Sequence, residues 1–162
     1  MSETKISETK TRSGFVTLLG ATNAGKSTLV NQLVGTKVSI VSHKVQTTRA
    51  LVRGIITEGD AQIVLVDTPG IFKPRRRLDR AMVSTAWSGA KDADIVLFIV
   101  DAERGFAGDA GTILDSLKDS KARNVLVLNK VDRVEPPKLL DLAGYAAQVA
   151  KFEKVFMVSA LN

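Results

Sequence analysis

One eight-residue stretch, Gly20-Ala21-Thr22-Asn23-Ala24-Gly25-Lys26-Ser27, restricts what this chain can fold into more than any other part of it. It fits the phosphate-binding pattern G-x-x-x-x-G-K-[ST], which functions only at a turn between a strand and a helix. Both flanks agree with that context. Phe15–Leu19 is a short apolar run, and Leu29/Leu33 with Val30/Val34 recur at i, i+4 along one helix face. Gly20 and Gly25 allow a tight turn and a close backbone approach to an anion. The loop N–H groups and the positive end of the helix dipole then attract phosphate. Lys26 brings a compact cation to the β- and γ-phosphates. Ser27 offers a hydroxyl oxygen to Mg²⁺, a cation that keeps several waters and shares phosphate oxygens. The stretch predicts a grip on a nucleoside triphosphate.

The rest of the chain repeats the alternation of strand and helix. Leu51–Thr57 and Gln62–Val66 read as a hairpin around Glu58-Gly59-Asp60. Leu78–Lys91 reads as a helix, Ile95–Val100 as a buried parallel strand, and Ala110–Asp119 as a helix. Asn124–Leu128 is the next strand, Pro136-Pro137 opens a helix to about Lys151, and Val155–Val158 is the last strand. The expected fold is α/β: a three-layer P-loop NTPase with a mostly parallel six-stranded sheet and helices on both faces. Ligands of such sheets sit at the carboxyl ends of the strands.

Composition excludes several alternatives. A chain of 162 residues is one domain by the usual prior and long enough for a real core. It has no Cys, so a disulfide framework and thiolate chemistry are out, and a reducing compartment is suited. No apolar run is long enough to span a membrane, and residues 1–12 carry no signal-peptide core and read as a frayed tail. The net charge of +6 raises general affinity for nucleic acid or anionic surfaces without naming a partner.

The other motifs all fall at expected strand ends. Asp67-Thr68-Pro69-Gly70 follows Ile63–Val66. An unpaired carboxylate closing an apolar strand is costly, and a nearby Mg²⁺ with its waters would justify Asp67. Gly70 has no side chain, so its N–H can reach a γ-phosphate, although Thr68-Pro69-Gly70 also reads as a plain turn. Asn129-Lys130-Val131-Asp132 follows Val125–Leu128 and chooses the base. Guanine presents two adjacent donors, and an ionised carboxylate such as Asp132 accepts both; adenine would leave that charge unpaired. Lys130 can lay its stem along the base plane. Ser159-Ala160-Leu161 follows the last strand.

Together these residues resemble the translation-factor-related class of P-loop GTPases, from about Ser13 to the end. Within that class, Gln46-Thr47-Thr48-Arg49, Gly35-Thr36-Lys37-Val38-Ser39-Ile40 and Asp67-Thr68-Pro69-Gly70-Ile71 are similar to the Era family. The resemblance implies a GTP-hydrolysing switch that supports 16S rRNA maturation and small ribosomal subunit assembly. An alternative is a nucleotide-dependent ribosome- or RNA-docking module in which hydrolysis is a slow timer. GTP/GDP and Mg²⁺ are the implied cofactors, with K⁺ as a third, because related GTPases carry an Asn at the position of Asn23 and bind K⁺ beside the phosphates.

By the same resemblance Thr48 ligates Mg²⁺ from switch I, with Thr47 the alternative, beside Ser27 and a water-linked Asp67. Lys26, Asn23, Thr48 and Gly70 form the expected catalytic set. Ala24, Thr28, Asn129, Lys130, Asp132, Ser159, Ala160 and Leu161 complete the nucleotide contacts, a backbone N–H of the last loop meeting the guanine oxygen. The implied location is the cytoplasm, with peripheral association at the inner membrane face. In the family the domain continues into one more helix and an RNA-binding KH domain. The expectation is therefore a G domain over 13–162, cut at its C-terminal end with its last helix missing.

Ras-like GTPases orient the attacking water with a Gln just after the D-x-x-G motif; here Ile71 stands there, which predicts slow intrinsic hydrolysis or the use of another group. The basic run Lys73, Arg75, Arg76, Arg77 and Arg80 reads as a solvated loop and helix start or as an RNA contact. His43 reads as an exposed polar residue and Trp87 as core. Asp101 and Arg104, after the fourth strand, read as loop stabilisers.

Overall fold

The computed structural model describes residues 12–34, 51–67, 93–120 and 122–160, and for 51–53 and 67 the backbone course alone. Six strands form one sheet in the order β2-β3-β1-β4-β5-β6. They are β1 (Arg12–Leu19), β2 (Leu51–Glu58), β3 (Ala61–Asp67), β4 (Ile95–Asp101), β5 (Arg123–Asn129) and β6 (Lys154–Met157). Every neighbouring pair is parallel except β2 with β3, which form an antiparallel hairpin around Gly59-Asp60. The helices are α1 (Lys26–Val34), α2 (Asp109–Ser116) and α3 (Pro136–Val149), and short 3-10 turns cover Leu117–Asp119 and Val131–Arg133. The expected α/β class, hairpin and parallel order are all present. The helix expected at 78–91 lies outside the described residues.

Two boundaries moved for identifiable reasons. β1 begins at Arg12, inside the expected tail; the strand is extended because Arg12 pairs with Ala61 and donates its N–H to the Asp60 carbonyl at 2.7 Å. The α-helix expected to run to Asp119 ends at Ser116, and its last turn tightens into the 3-10 form over Leu117–Asp119.

Alternation along the strands builds a core on each side of the sheet. On one side Leu19, Val96, Phe98, Val100, Leu126 and Leu128 pack against Ile113 and Leu114 of α2 and Leu139 and Ala146 of α3. Phe98 is fully buried there, with Phe106 and Phe152 rings 6.3 and 6.5 Å away between centroids. On the other side Leu18, Leu65, Ile99 and Val127 pack against Leu29 and Val30 of α1. Each fully buried Leu, Ile or Phe stabilises by about 1.5–3 kcal/mol, so the central strands β1, β4 and β5 anchor the fold. At the sheet edge Val155, Phe156 and Met157 of β6 are exposed. No helix among the described residues is long and apolar enough to cross a membrane.

Candidate nucleotide-binding site

The spatial order β1-β4-β5-β6 sets four parallel carboxyl ends side by side, with the loop 20–25 leaving β1, Asp101 closing β4, Asn129 closing β5 and residues 158–160 following β6. Asp67 closes β3 opposite Leu18 of β1, one strand further along the same edge. Residues far apart in sequence therefore meet at one end of the sheet, as the rule for parallel α/β sheets requires.

The phosphate loop turns tightly into α1. Ala24 donates its N–H to Ala21 at 3.2 Å, Leu29 donates to the Gly25 carbonyl at 2.9 Å, and Lys26 opens the helix. Both loop glycines are needed for packing as well as for phosphate approach. A Cβ on Gly20 would come within 2.6 Å of the Ile99 carbonyl oxygen. A Cβ on Gly25, whose φ is +99°, would collide with the Asn129 amide nitrogen. Lys26 is buried, and its ammonium donates to the Gly20 and Ala21 carbonyls at 3.1 and 3.3 Å. Ser27 is exposed in the first turn of α1 and Thr28 beside it is half-buried. Asn23 has a positive φ of 66°, a region uncommon for non-glycine residues but one in which Asn is enriched.

The loop that follows β5 is tied to this cradle by consecutive residues. Asn129, buried at 2% exposure, donates its amide to the Ala24 carbonyl at 3.0 Å and accepts the Ala160 N–H on its amide oxygen at 3.0 Å. Lys130, also left-handed at φ 62°, donates to the Asn23 carbonyl at 3.0 Å and to the Asp101 carboxylate at 2.9 Å. Asp132 is exposed in the following turn, where its carboxylate accepts the Ser159 hydroxyl at 2.8 Å. The Val131 N–H bonds the Val158 carbonyl and the Val158 N–H bonds Leu128, which holds the two loops in register.

Two of these contacts carry no sequence signature. The Ala160 N–H donates to the Asn129 amide oxygen, because the parallel pairing of β5 and β6 sets the start of the last loop beside Asn129. Ser159 acts through its hydroxyl, fixing Asp132. Asp101 was read as a loop stabiliser, and it does accept the Glu103 N–H at 2.9 Å; its second oxygen, however, holds Lys130. A lone carboxylate closing a wholly apolar strand was the available signal, the same one that singled out Asp67. Burial pushes the Asp101 carboxyl up, but the Lys130 ammonium and the N–H groups of Glu103 and Arg104 outweigh it and hold the carboxyl below its ordinary value. Thr47, Thr48, Gly70, Leu161, Ile71, His43, Trp87 and the basic run Lys73–Arg80 lie outside the described residues, and of Asp67 only the backbone is described.

The donors fit a magnesium nucleotide. Ser27, exposed in the first turn of α1, carries a hydroxyl, a hard oxygen donor of the kind that suits Mg²⁺. Among the described residues no three His, Cys, Asp or Glu side chains cluster as a metal cage. The fold and these loops define a P-loop GTPase domain. The model of the family described as 50S ribosome-binding GTPase matches residues 15–130, and the chain belongs to that family.

Its similarity narrows further, to Era. The chain is 71% identical to the GTPase Era of Brucella suis biovar 1 over 154 residues, covering 95% of this chain and 50% of that protein. Among solved structures it superposes on Era in complex with MgGDPNP and a segment of 16S ribosomal RNA, with a TM-score of 0.78 and 36% identity, covering 93% of this chain and 52% of that one. A variant of Aquifex aeolicus Era bound to GDP·AlF4⁻ gives a TM-score of 0.76 and 35% identity over the same shares of the two chains. The chain thus spans about half the length of the curated relatives it matches.

Proposed function

We propose that residues 13–162 act as the G domain of an Era-type switch that binds GTP with Mg²⁺ and hydrolyses it slowly. One observation carries this reading: Asp132 presents an exposed carboxylate, steadied by Ser159, on a loop whose preceding residues grip the phosphate loop. A carboxylate there accepts the paired donors of guanine, and adenine offers none. Lys26, the loop N–H groups and the metal would stabilise charge on the transferring phosphoryl group, with Ser27, Asp67 and Thr48 holding Mg²⁺. Thr47 is the alternative to Thr48, and Gly70 would meet the γ-phosphate through its N–H.

Asn23 supports a K⁺ site beside the phosphates, since its left-handed backbone sets an amide side chain on the exposed rim of the loop. By similarity to the Era complex that contains 16S ribosomal RNA, the whole protein would work on the small ribosomal subunit, in the cytoplasm or at the inner face of the membrane. Ile71 in place of a water-orienting Gln supports slow intrinsic turnover, so the switch would act as a docking timer.

Calorimetry with MgGTP and MgATP tests the base assignment: GTP should bind and ATP should not, and equal affinities would overturn it. GTPase rates in Na⁺ and K⁺ buffers test Asn23, and equal rates would remove the K⁺ site. Single-turnover hydrolysis with and without small ribosomal subunits separates an autonomous enzyme from a partner-timed one.

A further inference from the structure

Residues 129 and 130 grip two consecutive carbonyls of the phosphate loop: Asn129 takes that of Ala24, and Lys130 takes that of Asn23. The first grip is made by a buried amide that needs no further support. The second is made by an ammonium on a flexible stem, from a residue whose backbone is itself left-handed. Something must keep that ammonium on the Asn23 carbonyl, since a free Lys gains entropy and hydration by swinging into water. Asp101 meets that need. Its carboxylate is 9% exposed and lies 2.9 Å from Lys130 Nζ, while the Lys130 side chain is 22% exposed.

Asp101 is itself held in place. It closes β4 directly beside Asn129 in the parallel register, and its other oxygen accepts the Glu103 N–H. Among the described residues its other ion-pair neighbour is Arg104, 4.0 Å away and mostly exposed. The pair is thus desolvated enough to matter, and Lys130 Nζ is shared between the strand β4 and the phosphate loop.

We propose that Asp101 is a positioning residue for nucleotide binding: it fixes Lys130 so that the base-reading loop stays locked to the phosphate loop. This rests on the guanine-nucleotide reading above. Asp101 need not touch the nucleotide. Without its charge, Lys130 leaves the Asn23 carbonyl, the two loops move independently, and bound nucleotide escapes faster.

The test is the dissociation rate of a fluorescent N-methylanthraniloyl-GDP from wild type, Asp101→Asn, Asp101→Glu, Lys130→Ala and the double variant Asp101→Asn/Lys130→Ala. Each rate is read well below that variant's own melting temperature, so loss of fold registers separately. Asp101→Asn should release GDP at least about tenfold faster, as loss of one charge-assisted hydrogen bond implies. Asp101→Glu, which keeps the charge, should fall nearer to wild type than Asp101→Asn does. The double variant should release no faster than Lys130→Ala alone, because both changes cut one linkage. A melting temperature that drops while the Asp101→Asn rate stays within about twofold of wild type would overturn the positioning role, as would rates that multiply in the double variant. A wild type unable to hold the labelled GDP would instead sink the guanine-nucleotide reading, and the role of Asp101 with it.

Discussion

Asn129→Ala is the sharpest probe of how the site is held together. Asn129 satisfies two backbone groups from segments more than thirty residues away on either side, the Ala24 carbonyl and the Ala160 N–H, at 3.0 Å each. Ala24 and Ala160 are buried at 3% and 5% exposure, and Asn129 at 2%. Truncation leaves both groups without their partner, and each orphaned buried group costs about 1–3 kcal/mol. Partial relaxation toward solvent trims the sum, so a loss of about 2–5 kcal/mol is expected. That is a large share of a total stability of about 5–15 kcal/mol. For a domain of this size it lowers the melting temperature by roughly 5–15 °C. Urea unfolding of the nucleotide-free protein measures it, with an unchanged m-value showing that the unfolded state is unaffected. Asn129→Asp should cost no less at neutral pH, because it sets a buried carboxylate against the Ala24 carbonyl. An Asn129→Ala variant within about 0.5 kcal/mol of wild type would refute the claim that one amide joins the phosphate loop, β5 and the last loop.

Leu126→Ala, in the fully buried centre of β5, should cost about 2–5 kcal/mol in the same urea assay. Asp132→Asn should weaken GTP binding and shift preference toward xanthine nucleotides in competition calorimetry, since the amide reverses one donor–acceptor pairing. Asp101 has a lowered carboxyl pKa in the folded state, so its contribution to stability is present above the ordinary aspartate range and is lost as pH falls through the lowered value. Wild type should therefore lose stability on acidification below about pH 4 more steeply than Asp101→Asn, as followed by thermal melts across that window.

Much of the fold was readable because its signals are local. A strand announces itself by a short apolar run, a helix by i, i+4 recurrence, and the phosphate loop by glycines and Lys26 inside nine consecutive positions or fewer. The hairpin at Gly59-Asp60 and the alternation of strands with helices followed from such cues. Chemistry at single positions could be proposed for the same reason: a carboxylate or a Lys in a defined spacing has a limited set of uses.

What links those positions carries no such signature. That Asn129 would bind Ala24 and Ala160, that Ser159 would steady Asp132, and that Asp101 would hold Lys130 onto Asn23 depended on β1, β4, β5 and β6 ending side by side. Hydrogen bonds need donor and acceptor within about 3 Å, and only a completed parallel sheet sets residues of such long sequence separation that close. Residue types and spacings along the chain were enough to propose a guanine-nucleotide site; the packing of the sheet assigned the hydrogen-bond partners that tie its two loops together.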